Sequence, residues 1–109
     1  MRGVVPAIDL PKARPGRRVR TAGMVITRQR PGTAKGFVFL TLEDETGISN
    51  IIIRPDLYAT DRLTIVESPF LLVEGILQNQ DGVTSIKAER VSRLDGLSDA
   101  AAIDSHDFH

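Results

Sequence analysis

The sequence predicts an all-β domain in which five antiparallel strands close into a small barrel, with one short helix between the third and fourth strands. Three observations lead there. Apolar and polar residues alternate over several short stretches, as in strands with one buried face. Turn residues (Gly, Pro, Asn and Asp) separate those stretches at short intervals. A helix-start signal, Pro55 after Arg54, interrupts the series once.

With 109 residues the chain makes one domain, large enough to bury roughly two-thirds of the surface its unfolded form exposes. A composition of 41% hydrophobic and 26% charged residues is that of a soluble globular protein. No apolar run approaches the ~20 residues that cross a bilayer, and no signal-peptide pattern opens the chain, so no membrane partner is expected. Without cysteine, neither a disulfide nor a thiolate metal site can form, and a reducing, cytoplasmic setting is expected. The formal net charge of zero conceals a division. Residues 1–36 hold nine Lys and Arg against one acid, Asp9, whereas residues 37–109 hold five against thirteen. One end of the molecule is therefore suited to a polyanion.

Residues 1–16 carry Pro6, Pro11 and Pro15 without a helical or alternating pattern, and read as an extended N-terminal arm leading into a domain at 17–91. Within 17–29, Val19, Thr21, Gly23 and Val25 share one face of a first strand, with Arg20, Met24, Ile26 and Arg28 on the other. Gly23 marks a bend, a bulge or a close backbone approach, where a long strand curls to serve both halves of a barrel. Pro31-Gly32 opens a basic loop that Gly36 closes; Arg28, Arg30 and Lys35 make it a mobile phosphate clamp. The second strand, 37–43, turns Val38, Leu40 and Leu42 inward and Phe37, Phe39, Thr41 and Glu43 outward. Asp44-Glu-Thr-Gly47 is a tight turn in which Asp44 accepts backbone hydrogen bonds. The third strand, 48–53, places Asn50 on the face of Ile48 and Ile52. A helix over 55–66 ends before Pro69, and a strongly apolar fourth strand covers 70–78. The hairpin turn 79–82 contains Asp81-Gly82, and the fifth strand, 83–91, brings Ile86 and Ala88 into the core. Residues 92–109 lose the alternation and read as an irregular C-terminal tail.

Several tempting patterns carry no chemistry. Gly32-Thr-Ala-Lys-Gly36 does not meet the phosphate-loop pattern. Ser105-His106-Asp107 has the residue types of a triad, but three adjacent residues cannot assemble one in space. His106 and His109 are too few to define a metal site, and Glu43-Asp44-Glu45 lacks calcium-loop spacing. No catalytic residue, metal or cofactor is expected.

The strand and helix order is that of the OB-fold, whose second and third strands and neighbouring loops bind oligonucleotides. Residues 23–53 resemble the OB module of the anticodon-binding domains of class II aminoacyl-tRNA synthetases. More closely, Arg28-Gln-Arg-Pro-Gly-Thr-Ala-Lys-Gly36 with Phe39-Leu-Thr-Leu-Glu-Asp-Glu-Thr-Gly47 resembles the C-terminal OB domain of the error-prone DNA polymerase III alpha subunit, a bacterial C-family polymerase of damage-tolerant synthesis. That likeness extends to Val73-Glu-Gly75, Ala88-Glu-Arg-Val91 and the ending Ser105-His-Asp-Phe-His109, although His106 stands where arginine is usual in the family. It implies that the polymerase's catalytic aspartates lie in other domains and that this chain does not polymerise DNA. It also implies that Phe39 stacks on a base and Asn50 makes a polar base contact. Glu43 stands where the anticodon-binding relatives commonly have arginine, which argues against tRNA reading.

Together these residues describe a non-catalytic binder of single-stranded DNA. Arg20, Arg28, Arg30, Lys35 and Arg54 would meet phosphates, and Phe37, Phe39, Thr41 and Asn50 would meet bases. An alternative stands beside it. The outward aromatics would serve equally to dock the barrel on other polymerase domains or lesion-bypass accessory proteins.

Overall fold

The computed structural model describes residues 3–94. Its five strands are β1 (Arg18–Gln29), β2 (Val38–Asp44), β3 (Gly47–Ile53), β4 (Phe70–Gln80) and β5 (Val83–Arg93). They close in the order β1-β2-β3-β5-β4, the barrel expected of an OB-fold. All neighbours are antiparallel except β3 and β5, which run parallel over only three pairs: Asn50–Ser85, Ile51–Ile86 and Ile52–Lys87.

Closure depends on β1 serving both halves of the ring. Its residues 18–24 pair with β4 and its residues 24–29 with β2, so Met24 is shared. Two irregularities allow the bend. A Cβ at Gly23 would lie 2.7 Å from the Glu43 carbonyl oxygen, so only glycine lets β2 approach this closely. The ladder to β2 then slips between Val25 and Thr27, a bulge that tightens the local twist. A second slip, between Glu74 and Gly75, lets β4 follow β5 round the barrel.

The alternation of β2 and β3 fills the interior. Leu40, Ile51, Ile86 and Leu77 form one inward row across four strands, each 2% exposed or less. Ile53, Leu71 and Val73 are likewise buried, each such side chain stabilising the fold by about 1.5–3 kcal/mol. The β4–β5 hairpin closes with Gln80 paired to Val83 and only Asp81 and Gly82 between them, at φ 55° and 79°. Positive φ at both positions is the type I′ turn that the Asp-Gly pair favours.

In place of the single helix expected over 55–66 there are two, α1 (Pro55–Thr60) and α2 (Arg62–Glu67), separated at Asp61. Thr60 and Asp61 are weak helix formers. The break lets Ile65 reach the core while Leu57 and Tyr58 pack against it from α1. Strand β5 runs to Arg93, past the expected end at Val91, and Leu94 is buried with its N–H donating to the Phe70 carbonyl at 3.0 Å. The tail motif Ser105-His106-Asp107 and His109 lie outside the described residues.

The N-terminal segment also differs from a plain extended arm. Val4 and Val5 lie along β1, with the Val5 N–H donating to the Arg20 carbonyl at 2.7 Å. Residues Ala7–Lys12 then form a 3-10 helix that buries Ala7 and Leu10. Its apolar positions are three apart, the 3-10 period, and two of them are too few to register as a pattern. Asp44 holds this helix in place: its carboxylate accepts from the backbone N–H groups of Ala7 (2.8 Å), Thr46 (2.8 Å) and Gly47 (3.1 Å) and from the Thr46 hydroxyl (2.6 Å). Burial alone would raise the Asp44 carboxyl. The bonds from the Thr46 hydroxyl and from the Ala7, Thr46 and Gly47 N–H groups outweigh it and hold the carboxyl below its ordinary value.

Asp44→Ala is expected to lower stability at neutral pH by about 1–2 kcal/mol, the scale of charge-assisted hydrogen bonds discounted for partial exposure. Because the folded carboxyl titrates below the unfolded one, its contribution is complete above the unfolded value and is lost as pH falls through the folded value. In urea unfolding the wild type and variant should differ at neutral pH and converge toward pH ~2. An equal gap at both would contradict this role for Asp44.

Candidate nucleic-acid interface

Residues paired across a sheet project to the same side, so the barrel's register converts sequence into outward rows. One row runs Thr27, Thr41, Asn50, Ser85, Gln78, across β1, β2, β3, β5 and β4 in turn. All five side chains are neutral and polar. The adjoining row begins Gln29, Phe39, Ile52. The two rows line a groove of about 530 Å³, flanked by Gln80, Asp81 and Val83 at the tip of the β4–β5 hairpin.

Phe39 is 36% exposed, whereas Thr41 and Ile52 are half-buried. A π face and an aliphatic surface thus stand beside a line of hydroxyls and carboxamides. That pairing suits a nucleobase, which presents an apolar face and a polar edge. The Thr27 hydroxyl bonds the Thr41 hydroxyl at 2.9 Å. Asn50 donates one N–H to the Thr84 carbonyl at 3.3 Å, which orients the amide and leaves its oxygen and second N–H without a partner among the described residues.

The expected cations are distributed differently from the aromatics. Among the described residues, no Lys or Arg lines the groove. Arg28 leaves the end of β1 toward α2, where its guanidinium donates to the carbonyls of Ile65 (2.8 Å) and Ser68 (2.5 Å). These are carbonyls at the C-terminal end of a helix, a position that favours a cation. Arg30 lies over the Tyr58 ring of α1, 4.9 Å from its centroid, a cation–π contact. The loop expected to be a free clamp is therefore held to both helices, and Gly36 packs against Pro55 as well. Lys35, at φ 55°, is exposed and has no partner among the described residues. Arg54 precedes α1 and pairs with Asp56 at 3.5 Å. Arg20 is not brought to the groove; it pairs with Glu74 at 3.4 Å and lines a separate cavity with Arg90. Phe37 is half-buried just before β2 and does not line the groove.

Sequence reasoning missed Thr27, Gln29, Gln78, Gln80 and Ser85. A signal existed for the glutamines. Gln78 and Gln80 continue the outward parity of Glu74 and Ile76 along β4, once the strand is extended to the Asp81-Gly82 turn. Ser85 had the same signal, alternating with the inward Ile86 and Ala88, but only the pairing of β3 with β5 shows that it joins Asn50 in the groove.

The family model described as "OB-fold nucleic acid binding domain" matches residues 19–94. The chain belongs to this family. The error-prone DNA polymerase of Caulobacter vibrioides is 48% identical over 93 residues, 85% of this chain and 9% of the polymerase. That of Pseudomonas aeruginosa is 44% identical over 101 residues, 93% of this chain and 10% of the polymerase. The chain thus spans about a tenth of the length of these relatives. Asparaginyl-tRNA synthetase from Pyrococcus horikoshii shares the fold with a TM-score of 0.70 at 25% identity, covering 84% of this chain and 23% of the synthetase. The likeness of residues 23–53 to the synthetase OB module and that of the chain to the error-prone polymerase OB domain are thus both met within this family. Glu43 is the next outward residue from Thr41 along β2, so its exposed carboxylate adjoins the polar row.

Arg28 and Lys35 should separate in mutagenesis. Arg28→Ala is expected to cost about 1–3 kcal/mol of stability, because it strips donors from two helix-end carbonyls. Lys35→Ala should stay within about 0.5 kcal/mol of the wild type. Chemical denaturation of both variants checks this, and equal losses would refute the capping role.

Proposed function

We propose that this domain binds single-stranded DNA without catalysis and handles template strand for a longer error-prone polymerase. The observation that carries the proposal is the pair of adjacent rows, Phe39 and Ile52 beside Thr27, Thr41, Asn50, Ser85 and Gln78. Phe39 stacks on one base. Asn50 and the glutamines meet base edges, and because a carboxamide both donates and accepts, they satisfy several base types with little sequence preference. Lys35 neutralises phosphate at the loop, and Arg30 joins it by exchanging Tyr58 for phosphate. Arg28 acts at one remove, by fixing the end of β1 against α2. Arg54 lies beside this loop, at the start of α1, and Arg20 lies on another face; both are secondary contacts.

Titration of a labelled ~15-nucleotide strand by fluorescence anisotropy tests the reading. Phe39→Ala should weaken binding by about 1–3 kcal/mol and leave the folded state intact, since the ring is not part of the inward rows. With two to four phosphates engaged, log K against log salt should fall with a slope of about −1.4 to −2.8. Binding that ignores both Phe39 and salt would overturn the proposal.

A docking role has one observation in its favour. Met24 (40% exposed) and Ile48 (55% exposed) flank Glu43 in a further outward row beyond the polar one. Exposed apolar residues of this size favour contact with another surface, here a neighbouring polymerase domain. The same titration divides the readings: absence of strand binding at low salt would leave docking alone.

A further inference from the structure

The row that contains Phe39 does not stop at the groove. Ile52 pairs with Lys87 on β5, Lys87 with Ile76 on β4, and Ile76 with Arg18 at the start of β1. The aromatic ring is thus followed along the outer wall of the barrel by an isoleucine and then a lysine. Lys87 stands two strand spacings, ~10 Å, from Phe39. It is exposed, and it makes no hydrogen bond or ion pair with another described residue. Arg18, next but one along the row, differs: Glu89 engages its guanidinium at 2.9 Å. Asp81 lines the groove and Glu43 adjoins its polar row, whereas Lys87 is the cation of this row without an ion-pair partner among the described residues.

Its location is also rigidly set. Gly75 packs so closely against the Lys87 carbonyl that a Cβ there would overlap it, and the β4–β5 ladder slips at this point. The half-buried Ile52 and Ile76 sit on either side, on the two neighbouring strands, and give the lysine's alkyl stem apolar neighbours while its ammonium stays in water.

We infer that Lys87 is a phosphate contact, and that a strand seated on Phe39 leaves the groove across β5 through the track Phe39–Ile52–Lys87. This rests on the groove being a single-strand site, and it extends that site onto a face that the basic loop does not reach. The two cations then hold the backbone on opposite sides of the stacked base, Lys35 at the loop between β1 and β2 and Lys87 on β5.

The test uses the whole chain and a labelled oligothymidylate of ~15 nucleotides, titrated by anisotropy across a salt series. Lys87→Gln is expected to bind several-fold more weakly at low salt and to reduce the salt slope by about 0.7, one phosphate on a single strand. Lys87→Arg should restore the slope, and thermal melting of all three proteins should coincide because the side chain is solvent-exposed. If the wild type binds and Phe39→Ala weakens it while Lys87→Gln keeps the wild-type slope, the track is wrong and the groove reading survives. If the wild type does not bind the strand at all, both fail together.

Discussion

Closing five strands into one ring forces residues far apart in the chain into common rows, and the rest of this molecule follows from that constraint. The inward row of Leu40, Ile51, Ile86 and Leu77 provides the core. The outward rows one position away provide the surface that could meet a ligand. The same alternation therefore sets the core and the candidate groove at once, and one residue of slippage would exchange them. This is why β1 carries a glycine and a bulge where it changes partners: the slip between Val25 and Thr27 sets the register in which Thr27 meets Thr41 and Gln29 meets Phe39.

The second organising feature is that, among the described residues, the cations stand outside the lining of the groove. A cation inside such a groove would compete with neutral amides for base edges, whereas cations on its margins would face the backbone of a bound strand. The basic loop illustrates how such margins are built. Arg28 is tied to the end of α2 and Arg30 rests on Tyr58, so two of the loop's three cations first serve to dock it on the helices. Lys35 is left to solvent. Counting basic residues along the chain would credit all three equally.

Much of the fold was legible because strands have a period of two and this chain keeps it. Val38, Leu40 and Leu42 went inward as expected, the hairpin turns at the Asp81-Gly82 pair that signalled it, and Gly23 marks a close approach. Phe39 and Asn50, read as outward, do line the groove. What the sequence concealed were features set by tertiary context. The 3-10 helix at the N-terminus offers only Ala7 and Leu10 as a pattern, and its anchor, Asp44, is 37 residues from the Ala7 N–H it binds. The break at Asp61 depends on Ile65 finding the core. The capping role of Arg28 and the remoteness of Arg20 are invisible without knowing which elements meet, since charge along a chain says nothing about its neighbours in space.

The seam between β3 and β5 has a consequence beyond topology. It is the shortest joint in the ring, three pairs long, and two of its residues, Asn50 and Ser85, are neighbours in the polar row of the groove. The shortest joint of the barrel and its candidate groove are thus one location. A molecule that bridged those two side chains would act as a clasp across the joint, so that occupancy and closure would reinforce each other. Variation in either residue would then be constrained twice, by what is bound and by whether the ring stays shut.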